Sequence, residues 1–512
     1  MTRRRWALTI FAAWAVALAW LVKREYFRST GAKLAEAALA VPPGSVFYRL
    51  AAGGQQVGYA GTTIDTTRDT IRVTDVWVLD IPTLGAMHRT DARSTASVSR
   101  ALRMQAVDVT YDGDAGRWHA TARMVTDSAL RLTLTAGGDS ETTILRVARA
   151  PVLPDLLPLR VAFGGELKTG RSVHVDVFDP LLLAERDVSV TVAAESTLVV
   201  ADSADYDSTA MAWVPVHYDT LQAFRLDQRA GGLVSSAWID AQGHVVRAWT
   251  PGGFTVERTA FEIAYENFRH RDTLRLARAT ATPGPNDVIP LTLLAARTQP
   301  DPGPGRDSLR VRLTGVDVAG LDLAGGGQSL AGDTLIVRRA AGVALRAAYQ
   351  RPARDSALQQ FLMVEPLIQR GDVRIRTLAR QIAGEQRDPA VVARLLAQWV
   401  TRNITPAPAA GLASALNVLG ARRGDCNERT VLYVALARAA GIPARPVAGL
   451  LAARGRFYYH AWPEVYLGDW VPVDPTLGQF PADAAHLRFA IGGFARQLEL
   501  VRLIGKLRLE AL

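Results

Sequence analysis

The spacing of apolar residues changes along this 512-residue chain, and the change separates two kinds of structure. From about residue 44 to 272, segments such as Thr70–Val78 alternate with a period of two or are rich in Val, Thr and Ile. Glycine pairs such as Gly137-Gly138 mark turns between them. After about residue 355, apolar residues recur at helical spacing. We therefore predict a large, mostly antiparallel β region followed by an α+β domain.

A proline-rich stretch separates these two parts. Six prolines fall between residues 281 and 305, and a short β segment follows over 306–350. A chain of this length is too long for a single core of ordinary domain size. We predict five segments: a membrane anchor and stalk (1–43), one or two antiparallel β domains (44–280), a linker with a small β module (281–355), an α+β core (356–490) and a C-terminal tail (491–512).

The N-terminal segment 6–22 contains 17 residues without a charge, which is the short end of the range for a helix that crosses a membrane. Arginines precede it, and Trp6 and Trp20 stand near its two ends. We favour a single-pass signal anchor over a cleaved signal peptide or a buried helix. The short basic tail would stay in the cytoplasm, so we expect an inner-membrane protein whose bulk lies in the periplasm or another extracytoplasmic space.

The net charge of +10 comes mostly from arginines that are spread along the chain near acidic residues. This distribution disfavours a nucleic-acid partner, although weak attraction to an anionic membrane surface is compatible with it. The seven histidines other than His460, His486 among them, show no paired metal-ligand spacing, and the sequence has no calcium-loop pattern. We predict no metal and no cofactor. The oligomeric state is left open.

Two helices are expected ahead of the single cysteine. Residues 373–383 carry apolar residues at helical spacing and are followed by Gly384. A second helix is predicted to begin with Asp388 as N-cap and Pro389 in its first turn, and to run to about Asn403. These helices belong to the α+β core.

The only cysteine, Cys426, is predicted to stand at the start of a third helix. Apolar residues at 431, 432, 435, 436 and 439 share one helical face, and Gly441 and Pro443 end the helix. With one cysteine, no internal disulfide can form. Unpaired N–H groups and the helix dipole are expected to favour the thiolate and to stabilise an oxyanion after the sulfur attacks a carbonyl. A buried thiol without chemistry is the alternative.

Two strands after this helix supply an imidazole and a carboxylate. His460 lies on an alternating strand with Trp462 and Glu464 on the same face, and Asp474 lies on the returning strand. The two share a face if a three-residue loop over 467–469 pairs 462 with 474. Cys426, His460 and Asp474 then form a candidate catalytic triad of nucleophile, base and orienting group. We expect Trp462 to pack beside the site and Glu464 to be a supporting residue rather than an acid.

The segments GDCNERTVLYVALARAAGIPARPVAGL and FYYHAWPEVYLGDWVPVDPT resemble the core motif of the transglutaminase-like superfamily, in its bacterial membrane-associated members. The resemblance covers roughly 365–490. It implies a papain-like α+β catalytic core with Cys426, His460 and Asp474 as the triad, and it carries no function for the β region.

The triad and the resemblance together predict thiol-dependent acyl transfer on peptide or amide substrates of the cell envelope, including substrates linked to peptidoglycan. We favour hydrolysis, as in a protease or amidase. A transamidase that joins glutamine and amine groups is one alternative, and a non-catalytic binding or scaffold protein of the envelope is another. The choice between water and an amine as acceptor depends on the shape of the cleft, which the sequence does not give.

Overall fold

The computed structural model describes residues 41–270 and 305–512, apart from short gaps, of which 407–413 and 494–499 are the longest. The predicted membrane segment 6–22, the stalk up to residue 40 and the proline-rich stretch 281–304 lie outside the described residues. Within the described ranges, the structure contains no helix that is long and apolar enough to cross a membrane.

The first part of the chain folds into one antiparallel sheet, in which fourteen strands are described. Its first meander comprises β1 (Gly44–Ala52), β2 (Gln55–Thr66), β3 (Thr70–Thr83), β4 (Ala86–Ser99), β5 (Met104–Gly113), β6 (Gly116–Thr126), β7 (Ala129–Ala136) and β8 (Asp139–Arg146). Its second comprises β9 (Ser172–Asp179), β10 (Ala184–Asp207), β11 (Ala212–Ala230), β12 (Leu233–Asp240), β13 (Val245–Trp249) and β14 (Phe254–Thr259). Pairing of β1 with β14 joins the two meanders. The predicted antiparallel β region is confirmed.

A short helix, α1 (Leu157–Phe163), connects the two outer strands and fills the inside of this sheet. Leu157 and Val161 of α1 share one apolar core with Val98 of β4 and Ile239 of β12. Strands that far apart in a flat sheet would be separated by several spacings of about 4.8 Å. The sheet must therefore curl around α1 to place both meanders in one core.

Gly243 shows how closely the helix and the sheet pack. It lies in the turn between β12 and β13 with φ of +81°, and a Cβ there would come within 2.8 Å of the Cα of Leu159. The positive φ and the close approach both require glycine. The N–H of Gly243 closes this turn by donating to the carbonyl of Asp240 at 3.0 Å.

The small β module follows the undescribed stretch. It contains β15 (Ser308–Thr314), β16 (Gln328–Ala331) and β17 (Thr334–Arg338). Leu309, Val311 and Leu335 point into a core that this module shares with the C-terminal domain, including Phe457 and Phe489. The module is thus packed against the domain that carries the candidate site.

In its described residues, the C-terminal domain contains four α-helices that pack with a four-stranded sheet. The helices are α2 (Val373–Ala383), α3 (Pro389–Asn403), α4 (Ala415–Ala421) and α5 (Cys426–Ala439). Two short strands, β18 (Thr405–Pro406) and β19 (Arg423–Gly424), pair in parallel. The sheet has the order β22-β21-β20-β23 and is formed by β20 (Ala444–Ala453), β21 (Arg456–Tyr466), β22 (Trp470–Pro472) and β23 (His486–Ile491).

The helix boundaries follow the signals in the sequence. Asp388 caps α3 by accepting from the N–H of Ala390, and Pro389 fills the first position, as predicted. Helix α2 ends where Gly384 takes a φ of +52°. Helix α5 is buried on most of its faces, with Leu432, Tyr433 and Leu436 fully inaccessible. It is the central element of the domain, so its N-terminus is held firmly in place.

The segment predicted as a C-terminal tail contributes a strand instead. β24 (Arg508–Ala511) pairs antiparallel with β15, and Leu509 is fully buried between the module and the C-terminal domain. Four residues are too few to show a convincing period in the sequence, which is why this strand was not predicted. The small module is therefore completed by the end of the chain.

Candidate active site

Cys426 occupies the first position of α5, as the sequence predicted. Asp425 is the N-cap, and its Oδ1 accepts from the N–H of Asn427 at 2.8 Å. The side chain of Glu428 reaches back and accepts the N–H of Asp425 at 3.1 Å, which completes a capping box. Gly424 permits this contact because a Cβ there would fall 2.4 Å from the Cβ of Glu428. The residues around Cys426 thus fix where the helix begins.

His460 and Asp474 come together through the β21–β22 hairpin. Tyr466 pairs with Trp470, so the turn contains residues 467–469, and the register is the one that the parity argument required. The Nε2 atom of His460 lies 2.8 Å from Oδ2 of Asp474. This contact leaves Nδ1 as the ring nitrogen of His460 that is available to another group.

Cys426 lies next to this pair. The backbone N–H of Ala461, the residue after His460, faces the thiol, and the carboxylate of Asp474 is close enough to affect its ionisation. Burial raises the pKa of the Cys426 thiol well above its usual range, Asp425 raises it further, and the N–H of Ala461 opposes both. This burial opposes the expected stabilisation of the thiolate by the helix N-terminus, and that expectation stays a prediction.

The carboxylate of Asp474 is inaccessible to solvent, and each of its two oxygens has two hydrogen-bonding partners. Its Oδ1 accepts from the N–H groups of Thr476 at 2.7 Å and Leu477 at 3.0 Å. Its Oδ2 lies 2.8 Å from Nε2 of His460 and 3.0 Å from Nε2 of His486. Burial alone would raise the pKa of Asp474, but the contacts with His460 and His486 outweigh it and hold the pKa far below its ordinary value. These contacts favour the carboxylate form of Asp474.

His486 is a member of this group that the sequence analysis missed. It begins β23, its side chain is buried, and its Nδ1 lies 3.2 Å from Oδ1 of Asp483. Burial would lower the pKa of His486, yet contacts with Asp474 and then Asp483 raise it to about 9. No local pattern indicates this role, because a histidine on an apolar strand is an ordinary feature of a core.

Trp462 and Glu464, on the same strand as His460, contact the ring of His460 and two buried arginines respectively. The ring of Trp462 stacks on that of His460 with centroids 5.9 Å apart, in line with its predicted packing role. Glu464 is buried and paired: its Oε2 accepts from Nη2 of Arg445 at 2.6 Å, and its Oε1 accepts from Nη1 of Arg488 at 2.7 Å. Glu464 pairs with two arginines and not with the thiol. It is therefore a supporting residue, as predicted from the sequence.

Two clusters of described residues place three potential metal-ligating side chains together. One is the buried group His460, Asp474 and His486, and the other is the exposed group Asp202, His217 and Asp219. Hydrogen bonds account for the buried group without an ion, since each histidine there faces the same carboxylate oxygen. The predicted absence of a metal stays a prediction.

The region that holds this site matches a known family. Residues 376–475 match the family model described as the Transglutaminase-like superfamily. The match begins within α2 and ends just after Asp474, so it includes the cysteine helix and the hairpin. The resemblance inferred from the sequence motifs is confirmed.

Relatives of the chain are distant. An "Uncharacterized protein" from Haemophilus influenzae is 27% identical over 162 residues, which cover 26% of this chain and 42% of that protein. The chain thus spans about two fifths of that relative's length. The solved structure of a "Putative Cysteine Protease" from Cytophaga hutchinsonii is 16% identical and has a TM-score of 0.27. The match covers 40% of this chain and 81% of the protease chain. The solved structure of a β-barrel-like protein from Brucella abortus is 12% identical and has a TM-score of 0.28. The match covers 43% of this chain and 95% of the Brucella chain. TM-scores this low carry no functional inference.

Proposed function

Because residues 376–475 of the chain form a domain of the transglutaminase-like superfamily, we propose that it is a thiol enzyme that transfers acyl groups from peptide or amide substrates. Cys426 is the nucleophile and His460 is the general base. Asp474 orients the His460 ring and stabilises its protonated form. The 2.8 Å contact between His460 and Asp474, formed beside the thiol, is the observation that carries this proposal.

The geometry suggests how the proton moves. Since Nε2 of His460 is engaged by Asp474, Nδ1 is the atom that takes the proton from the sulfur of Cys426. The sulfur bonds to the substrate carbonyl carbon, and the carbonyl electrons move onto oxygen. When this intermediate collapses, the C–N bond breaks, the leaving amine takes the proton from His460, and a thioester remains on Cys426. Asp474 stabilises the imidazolium that exists between these two transfers.

A raised thiol pKa is compatible with this scheme. The proton leaves Cys426 only as the sulfur attacks, so that the negative charge passes to the substrate oxygen rather than resting on sulfur. The N–H of Cys426, at the first helical position, has no partner within the helix. Together with the helix dipole it is suited to stabilise the oxyanion.

Release of the acyl group by water is our proposal for the second half of the reaction, in keeping with the bacterial members that the motifs resemble. Water attacks the thioester carbonyl while His460 takes its proton. The C–S bond then breaks, the sulfur of Cys426 recovers that proton, and the carboxylic acid leaves. If the segment 6–22 anchors the chain as its sequence suggests, the substrate is a peptide or amide of the cell envelope.

The test uses the full chain purified in detergent and two probes. Fluorescein-labelled casein reports peptide hydrolysis, and dansylcadaverine with dimethylated casein reports transamidation. Wild type should release fluorescent peptides, and Cys426→Ala should release none. Incorporation of dansylcadaverine without peptide release would replace hydrolysis with cross-linking as the activity. If neither probe reacts and Cys426 of the wild type also resists the alkylation described below, the enzyme assignment is overturned in favour of a binding protein.

A further inference from the structure

The two ring nitrogens of His486 both face acceptors. Nε2 lies 3.0 Å from Oδ2 of Asp474, and Nδ1 lies 3.1 Å from the carbonyl oxygen and 3.2 Å from Oδ1 of Asp483. A neutral imidazole has one N–H, so its second nitrogen would direct a lone pair at an oxygen. Only the doubly protonated ring satisfies both ends. The geometry therefore indicates an imidazolium between two carboxylates.

Asp483 is built to hold the far end of this ring. Its Oδ1 accepts from the N–H of Ala485 at 3.1 Å, and its Oδ2 accepts from Nε2 of Gln479 at 3.1 Å and from the N–H of Gly305 at 3.2 Å. Gln479 in turn accepts the N–H of Asp483 at 2.9 Å. These hydrogen bonds hold the Asp483 end of the loop from Asp474 to Asp483 in place. His486 contacts the residues at both ends of this loop.

We propose that His486 is a positioning residue of this site: as an imidazolium it bridges Asp474 and Asp483 and holds the Asp474 carboxylate in the orientation that His460 needs. The inference rests on the proposed function of Cys426, His460 and Asp474. His486 touches no substrate in this scheme. It acts through Asp474, which donates nothing and depends on its hydrogen-bond donors for its direction.

The charges around the ring explain why a histidine stands here. The ionisable groups that face it are Asp474 and Asp483 from the loop and His460 from β21. Its β20 partner is the apolar Leu451, and Arg429 of α5 contacts the same loop, where its Nη1 donates to the carbonyl of Pro475 at 3.2 Å. Two buried carboxylates would repel each other without a cation between them. The raised pKa of His486, about 9, agrees with this arrangement.

The protonation of His486 can be measured directly. The chain contains eight histidines, and selective ¹³C labelling of their rings in the full chain allows each to be titrated by NMR. The signal of His486 is assigned by its loss in His486→Gln. We expect it to titrate near pH 9 in the wild type and at least about one pH unit lower in Asp483→Asn, which removes one of the two carboxylates. Titration near the ordinary value of about 6.5, or no change in Asp483→Asn, would overturn the proposal.

The positioning role is measured by alkylating the only cysteine with iodoacetamide at pH 7. His486→Phe keeps a ring but offers no donor, and we expect its rate to fall about tenfold or more. His486→Gln can donate one amide N–H to Asp474 and should recover part of that loss. Thermal melting checks that each variant is folded, and if the Phe variant is not, His486→Leu, which also offers no donor, takes its place. A rate within about twofold of wild type in the folded variant that lacks a donor would refute the role.

A parallel reaction with His460→Ala separates the two proposals. If His460→Ala reacts slowly and the His486 variants react like the wild type, the positioning role fails and the proposed function stands. If His460→Ala and the wild type react equally, the proposed function fails and this inference fails with it.

Discussion

His460 and Asp474 lie fourteen residues apart in sequence and are joined by a 2.8 Å contact between Nε2 and Oδ2. The three-residue turn over 467–469 makes this possible, because it places both side chains on the same face of the hairpin. A turn shorter by one residue would put Asp474 on the opposite face. The length of one turn therefore decides whether the base of this site has its carboxylate.

Asp474→Asn should remove most of the activity of the protein that remains folded. The amide keeps the size of the side chain but cannot carry the negative charge that stabilises the imidazolium of His460. We expect the rate of casein hydrolysis to fall by roughly 10²–10⁴-fold. Circular dichroism on the same sample serves as the control for folding. Activity within about twofold of wild type would exclude Asp474 from the mechanism.

The pH dependence of stability should show the charges around His486. Its pKa is raised to about 9, so its contribution is fully present below the ordinary value of about 6.5 and is lost as the pH rises through 9. The pKa of Asp483 is lowered to about 2, so its contribution is present above about 4 and is lost as the pH falls towards 2. The urea concentration at the midpoint of unfolding should therefore fall as the pH rises above about 6.5 and as the pH falls below about 4. Midpoints that stay constant from pH 6.5 to 10 would contradict the imidazolium.

Glu428→Gln should stabilise the protein at alkaline pH. Burial, with the neighbouring Asp425 next in importance, raises the pKa of Glu428 to about 9, so the folded state keeps a proton that the unfolded chain loses above about pH 4.3. Stability from this group is complete below about pH 4.3 and declines as the pH rises through 9. Glutamine is neutral and can still complete the capping box. We expect a gain of about 1 kcal/mol or more at pH 8 and none at pH 4, measured by urea unfolding. Equal effects at the two pH values would show that Glu428 is ionised in the fold.

Gly449→Ala should weaken the sheet that positions both histidines. Gly449 of β20 pairs with His460 on one side and Arg488 on the other, and an added Cβ would lie 1.9 Å from the carbonyl oxygen of Leu487. We expect a loss of about 1–3 kcal/mol in the free energy of unfolding and slower alkylation of Cys426.

The matched control for that change is Gly420→Ala. Gly420 lies in α4 with nothing within 4 Å of an added Cβ, so alanine should be neutral or stabilising by about 0.5–1 kcal/mol. If both substitutions have the same effect, the close contact at Gly449 is not a constraint on the fold.

Glu464→Ala should destabilise the domain strongly, because it would leave Arg445 and Arg488 buried without their anion. Removing one partner of a buried ion pair costs about 3–5 kcal/mol. Arg117→Ala breaks a pair with Asp112 that is exposed, and about 0–1 kcal/mol is expected for it. Thermal melting of both variants makes the comparison. A similar small shift in both would mean that the buried pairs do not hold the sheet.

The sequence predicted the candidate site better than its surroundings. The Asp425–Cys426 helix start and the register that joins His460 to Asp474 follow from local rules of capping and pairing, which a sequence expresses directly. His486 and β24 depend on contacts between segments far apart in the chain, which leave no periodic signal. The Cys426 thiol shows the same contrast, since the dipole of its helix is a local effect, whereas the burial that raises its pKa comes from the whole domain.

The most direct test is the alkylation of Cys426 by iodoacetamide in the full chain, in wild type and His460→Ala, from pH 5 to 10. The chain has one cysteine, so every modified protein reports on this thiol. If His460 takes its proton, the wild type should react about tenfold or more faster at pH 7 than His460→Ala, and half-maximal labelling of the variant should move to higher pH. Equal rates and equal pH profiles in the two folded proteins would show an ordinary buried thiol and contradict the enzyme assignment.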